Sequence, residues 1–127
     1  MKISIITVCY NAEKHIKDTI ESVLEQDYPD IEYIIIDGAS TDQTLNIIQN
    51  FNDRIDCLIS EKDKGIYDAM NKGISKATGD VIGILNADDI YENQYVISLI
   101  MQNFTDGVSI VYGDIEYVKQ DDLSKVV

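Results

Sequence analysis

Apolar residues along the chain gather in short dense runs, separated by longer stretches where they recur only every third or fourth position. Ile3-Ser4-Ile5-Ile6-Thr7-Val8, Tyr33-Ile34-Ile35-Ile36, Cys57-Leu58-Ile59-Ser60, Val81-Ile82-Gly83-Ile84-Leu85 and Val108-Ser109-Ile110-Val111-Tyr112 are short and mostly β-branched, so each predicts a buried strand. Between them Ile16, Ile20, Val23 and Leu24 are spaced as one face of a helix, with Asn11 as its predicted cap. Ser40-Thr41-Asp42-Gln43 has the pattern of a capping box, opening a second helix with Leu45, Ile48 and Phe51 inward. A third helix places Ile66, Met70, Ile74 and Ala77 on one stripe, with Ala69 and Gly73 beside it, and a fourth is predicted from Gln94 to Phe104. Strands that alternate with helices imply an α/β protein: three layers, α/β/α, around a mostly parallel, Rossmann-like sheet with right-handed crossovers.

That architecture gives the polar residues at strand ends a meaning. In a parallel sheet all carboxyl ends lie on one edge, where ligands bind. Thr7-Val8, Asp37, Ser60-Glu61 and Asn86-Ala87-Asp88-Asp89 are predicted to converge there. Neighbouring carboxylates repel unless a positive charge or water separates them, so Asp88-Asp89 points to a divalent cation and through it to a phosphate-bearing ligand. Mg2+ and Mn2+ suit such a site, because they take oxygen ligands from one or two carboxylates plus substrate phosphates. Other positions read less sharply. Ser40 and Asp42 are expected to cap a helix rather than bind. Asp68, Asn71 and Lys72 share the start of the third helix; the last two could reach a diphosphate, but on pattern alone they read better as a solvated helix face. Tyr67 is a stacking ring or a plain surface aromatic, and His15 is expected to be exposed and idle.

The chain has 127 residues, enough for one domain with a core, and a formal net charge of -13 at pH 7. Such acidity argues against nucleic acid and against docking of this segment on an anionic membrane. Cys9 and Cys57 form no paired framework and read as reduced, buried thiols of a cytosolic protein. No signal peptide is read at the start, and no apolar run reaches transmembrane length. Tyr117 to Val127 reads as the start of something more, so residues 1–127 are expected to be one domain of a longer protein.

Several separated segments, in order, resemble the glycosyltransferase family 2 proteins of GT-A fold. They are Ile5-Ile6-Thr7-Val8-Cys9-Tyr10-Asn11, Ser22-Val23-Leu24-Glu25-Gln26-Asp27-Tyr28-Pro29, Ile36-Asp37-Gly38-Ala39-Ser40-Thr41-Asp42-Gln43-Thr44, Asp63-Lys64-Gly65-Ile66-Tyr67-Asp68-Ala69-Met70-Asn71-Lys72-Gly73 and Thr78-Gly79-Asp80. The resemblance implies a donor domain for a nucleotide-diphosphate sugar, UDP-linked by preference. It implies that Thr7, Val8 and Tyr10 line the nucleoside pocket, that Asp37 hydrogen-bonds the base, and that Asn71 lies near the diphosphate and sugar. Asp68, Asn86 and Ala87 complete the nucleotide-sugar set, and Asp88 with Asp89 is implied to hold Mg2+ or Mn2+. Two departures stand out. Asn86 occupies the first Asp of the family's Asp-x-Asp motif, and Gly38-Ala39 replaces a common Asp-Gly pair.

The activity so implied is inverting sugar transfer to a hydroxyl on a carbohydrate or lipid-linked acceptor, in bacterial polysaccharide synthesis, in the cytoplasm or at the inner face of the membrane. The general base is expected well beyond the metal motif; Asp114 reads better as a turn residue. The chain is therefore expected to bind donor and metal but to transfer little sugar alone. Two other classes stay open: a non-catalytic nucleotide-sugar binder, and a phospho-receiver-like signalling domain, which wants its acidic pair after the first strand. A dinucleotide-binding enzyme is weaker, since no Gly-x-Gly-x-x-Gly follows the first strand.

Overall fold

The computed structural model describes residues 1–104, 110–111 and 117–119, the last two segments as backbone. β1 (Ile3–Cys9) is buried along its whole length. It lies between two parallel neighbours, β2 (Ile31–Asp37) and β4 (Val81–Ile84), and β3 (Cys57–Ser60) extends the sheet beyond β2. A strand covered on both faces needs apolar side chains at every position rather than alternate ones, which is why β1 reads as a continuous run.

β1 sends successive side chains to opposite faces. Ile3, Ile5 and Cys9 join a core with Ile16, Ile20 and Val23 of α1 (Ile16–Leu24), Ile48 of α2 (Thr44–Gln49), and Ile97 and Met101 of α4 (Val96–Gln102). Ile6 and Val8 join a second core with Ala69 of α3 (Ile66–Lys76) and, just beyond it, Ala77. The result is the expected three-layer sandwich.

The strand order is β3-β2-β1-β4-β6-β5, with β5 Ile110–Val111 and β6 Tyr117–Lys119. β6 runs antiparallel to both β4 and β5, so β5 keeps the direction of the parallel strands but does not pair with β4. The alternating pattern predicts β5 as the next parallel strand. Instead its return lands one place further out, and β6, not anticipated as a strand, fills the gap. The rest of the predicted strand from Val108 to Tyr112, Asp114, and most of the segment from Tyr117 to Val127 lie outside the described residues.

Four local expectations are corrected. Asn11 does not cap α1, whose first turn begins at His15; Asn11 has φ 49° and its side-chain oxygen accepts the Thr41 N–H at 2.8 Å. Ser40 does not cap α2; the Thr44 N–H is taken by Asp42 at 2.9 Å. On α3 the buried positions are Ala69 and Gly73, while Ile66 is exposed and Met70 and Ile74 are half-buried. The reason is distance. A Cβ on Gly73 would stand 2.5 Å from Ile6 Cγ2, so only small residues fit where helix and sheet meet. The larger side chains are left on the flanks. The fourth helix is also shorter than predicted, starting at Val96.

Candidate functional site

The carboxyl edge of the sheet is a row of polar groups in register. Cys9 pairs with Asp37 and Asp37 with Ser60. Asp37 is fully buried. Its carboxylate accepts the Ser60 hydroxyl at 2.7 Å, the Ser40 N–H at 3.1 Å and the Ser40 hydroxyl, and the Cys9 thiol lies 3.5 Å away. Burial, reinforced by the Asp37 charge, pushes the Cys9 thiol well above the usual thiol range, so it is a hydrogen-bond donor and not a nucleophile. Both cysteines are free; Cys9 is buried as expected, but Cys57 is only half-buried.

The two loops above this row are clasped together. Besides the Asn11–Thr41 contact, the Asn11 N–H donates to Ser40 Oγ at 2.9 Å and the Ala12 N–H to Thr44 Oγ1 at 2.7 Å. Ala39 takes φ 62°, a left-handed conformation that costs a residue with a Cβ roughly 1–2 kcal/mol. Burial opposes ionisation of Asp42, but hydrogen bonds from the Thr44 hydroxyl and N–H and from the Glu13 N–H outweigh it and hold the carboxyl below the ordinary 3.8.

Two adjoining hollows open on this edge. One, of about 260 Å³, is lined by Val8, Cys9, Tyr10, Asp63, Gly65, Ile66 and Ala69. The other, of about 650 Å³, runs from Val8 along the loop to His15 and across to Asp42, Ile66, Asn86, Ala87 and Asp88. They share Val8, Cys9, Tyr10 and Ile66, which makes them two lobes of one cleft.

Sequence-predicted residues divide accordingly. Val8, Tyr10, Asn86, Ala87 and Asp88 line the cleft. Asp89 is exposed beside them, and its N–H closes the turn onto the Asn86 carbonyl at 3.0 Å. Thr7 does not reach the cleft: it is fully buried, sharing a 2.9 Å hydrogen bond with the Tyr33 hydroxyl, because strand alternation turns it into the core. Asp37 lies beneath the floor with its oxygens already engaged. Asp68 accepts the Lys64 N–H at 2.9 Å and pairs with Lys72 at 3.7 Å. Lys72 also meets Glu61 at 3.3 Å and the Lys62 carbonyl at 3.1 Å, so it ties the charged loop to α3. Asn71 and Tyr67 are exposed and line neither lobe.

The sequence reading passed over Asp63 and discounted His15, both of which line the cleft. For Asp63 the reason shows only in the fold: a Cβ on Gly38 would meet Asp63 Oδ2 at 2.8 Å, so the glycine makes room for that carboxylate. A single imidazole in a loop carries no signal.

The Asn86–Asp89 turn is the electrostatic focus. Burial, and then the Asp88 charge, raise the Asp89 carboxyl above its ordinary 3.8. Asn86 Oδ1 is buried without a hydrogen-bond partner, the one such side-chain atom among the described residues. An unpartnered buried carbonyl costs about 1–3 kcal/mol and is an open acceptor. Among the described residues no three metal-capable side chains cluster. The donor set, two carboxylates and an amide oxygen nearby, therefore fits Mg2+ or Mn2+ completed by ligand oxygens, and not a caged metal.

Comparison with known proteins places the chain in a family and a fold. Residues 4–126 match the family model described as glycosyl transferase family 2. The Escherichia coli UDP-Glc:alpha-D-GlcNAc-diphosphoundecaprenol beta-1,3-glucosyltransferase WfgD is 34% identical over 125 residues, covering 95% of this chain and 48% of that enzyme. Glycosyltransferase GlyG of Streptococcus pneumoniae is 33% identical over 115 residues, covering 88% of this chain and 38% of its own. The chain thus spans less than half the length of these curated relatives. Among solved structures, the mannosyltransferase PcManGT from Pyrobaculum calidifontis, in complex with GDP-Man and Mn2+, superposes with a TM-score of 0.86 at 21% identity over 98% of this chain and 46% of that one. S. aureus TarS 1-349 in complex with UDP-GlcNAc gives 0.78 at 19% identity, over 98% of this chain and 47% of that one. Those likenesses establish the GT-A fold, and the sequence matches establish the family: this chain belongs to glycosyl transferase family 2.

Proposed function

We propose that this chain is the donor-binding part of an inverting, metal-dependent glycosyltransferase whose donor is a UDP-linked sugar. The observation that carries the reading is the cleft edged by Asp88, with the unpartnered Asn86 carbonyl at its wall. Val8, Tyr10 and Ile66, shared by both lobes, offer an apolar face to a base, and Asp63 offers it a carboxylate acceptor. Asn86 accepts a ribose hydroxyl, which removes its unpaired state. Asp88, with Asp89, would hold a divalent cation, which would supply positive charge beside the diphosphate. Transfer itself breaks the bond between the anomeric carbon and the diphosphate oxygen as an acceptor hydroxyl attacks from the opposite face and gives its proton to a general base. That base is assigned to no described residue.

Relatives support the choice of substrates. WfgD, as its name states, has UDP-Glc as donor and a diphosphoundecaprenol-linked sugar as acceptor. A lipid-linked acceptor fits a protein working at the inner face of a membrane, and no helix among the described residues is long and apolar enough to cross one. Neighbours of the same fold bind UDP-GlcNAc or GDP-Man, so the base is the point to test. A thermal-shift panel of UDP-, GDP- and dTDP-sugars, each with and without Mn2+, is expected to show the largest rise for UDP-sugars, increased by Mn2+. A larger rise with GDP-sugars would reassign the donor, and no rise with any would remove the proposal.

A further inference from the structure

The turn that carries Asp88 and Asp89 is held from outside its own strand. β4 ends at Ile84, and the chain beyond is hung from the inner side of α1. Thr19, fully buried in α1, directs its hydroxyl at two main-chain carbonyls of the turn, Ala87 O at 2.8 Å and Asp89 O at 2.7 Å. These are the carbonyls on either side of Asp88. Further along the helix Ser22 Oγ accepts the Tyr91 N–H at 3.2 Å, and just past its end Gln26 donates to Asn93 O at 2.6 Å while accepting the Ile97 N–H at 3.0 Å.

Ser22 shows what a helical hydroxyl ordinarily does: it donates back to a carbonyl of its own helix, Thr19 O, at 2.8 Å. Thr19 spends its single proton across the core instead, on a turn sixty-eight and seventy positions away in sequence. With the Asp89 N–H to Asn86 O bond, it fixes the main chain on both sides of Asp88.

We propose that Thr19 is a positioning residue: its hydroxyl sets the direction in which the Asp88 and Asp89 carboxylates face the cation and the diphosphate. This rests on the donor-site reading above. The side chain touches neither ligand; it acts through the turn it holds.

The test is calorimetric titration with UDP, with and without Mn2+, on the unmodified protein, Thr19→Val and Thr19→Ser. Metal-free UDP affinity is expected to be equal in all three. The gain in affinity on adding Mn2+ is expected to fall about tenfold in Thr19→Val, the loss typical of removing a hydrogen-bond partner behind a metal ligand. Thr19→Ser, which keeps the hydroxyl, is expected to retain the gain. A folded Thr19→Val with an undiminished gain overturns the proposal, as does a Thr19→Ser that loses it. Should Thr19→Val fail to fold, Thr19→Ala takes its place with the same expected loss. Hydrogen exchange at the Asp89 amide separates this from failure of the donor reading. Faster exchange in Thr19→Val is expected whether or not UDP binds, and unchanged exchange overturns the proposed hold on the turn. An unmodified protein that binds no UDP counts against the donor reading instead.

Discussion

Asn86 is where the chemistry of the site and the sequence of this chain diverge most. It stands where a carboxylate is common in the resembling family, and its oxygen is buried without a partner. Restoring the charge gives a prediction with two signs. Asn86→Asp adds a third carboxylate beside Asp88 and Asp89, so the Mn2+-dependent part of nucleotide affinity is expected to rise. Metal-free stability is expected to fall by roughly 1–3 kcal/mol, because a buried acceptor without a donor becomes a charge. UDP titration with and without Mn2+ reads the first effect, and chemical denaturation without Mn2+ reads the second. Unchanged Mn2+-dependent affinity would place Asn86 outside the reach of the cation. At this scale the sequence was a partial guide. Carboxylates at strand ends can be found from a pattern, and Asp88 was. The direction of a side chain at a strand end cannot, and so Thr7 and Asp37 turn out to be enclosed. Thr19 was invisible for another reason: its partners are main-chain carbonyls, which leave no trace in residue identity.

Among the elements, α3 shows how packing overrides periodicity. Apolar spacing marks Ile66, Met70, Ile74 and Ala77 as the buried stripe; of these only Ala77 is buried, and the contact with β1 is made through Gly73, with Ala69 one turn before it. Gly73→Ala places a methyl 2.5 Å from Ile6 Cγ2. Despite the better helix propensity of alanine, the strain is expected to win and cost about 1–3 kcal/mol, read as a lower denaturant midpoint. A neutral or stabilising result would mean that α3 shifts freely on the sheet. The opposite edge of the sheet has its own fastening. Glu32 on β2 accepts the Ser4 hydroxyl at 2.7 Å and the Thr78 N–H and hydroxyl at 2.9 and 2.8 Å, with Lys2 at 3.6 Å. Burial works against its ionisation, but the Thr78 N–H, the Ser4 and Thr78 hydroxyls and Lys2 together hold its carboxyl below the ordinary 4.5. A depressed carboxyl stabilises the fold fully above its unfolded value and loses that contribution as pH falls through the folded one. Stability is therefore expected to drop below about pH 4.5, and Glu32→Gln to flatten that part of the profile. An unchanged acid limb in Glu32→Gln would assign the loss to other carboxylates. The strands and helices were largely legible because each buries an unmistakable run or face. The exception, β6, depends on where the chain returns after α4.

For the molecule as a whole, the parallel order β3-β2-β1-β4 is what turns scattered polar residues into a site. Every loop of the cleft leaves a carboxyl end of that sheet. The segment around α1 runs along that edge, with His15 at the cleft, Thr19 under the Asn86–Asp89 turn and Gln26, past the helix end, at the start of α4. The family follows from the sequence matches and the GT-A fold from the solved structures; donor, cation and acceptor are the proposals built on the cleft. The most direct measurement is calorimetric titration of UDP into the protein with and without Mn2+, repeated on Asp88→Ala. The account predicts single-site binding that tightens with Mn2+, and an Asp88→Ala protein that melts at the same temperature, keeps its metal-free affinity and loses the gain from Mn2+. UDP binding indifferent to Mn2+, or a gain that survives in Asp88→Ala, would contradict it.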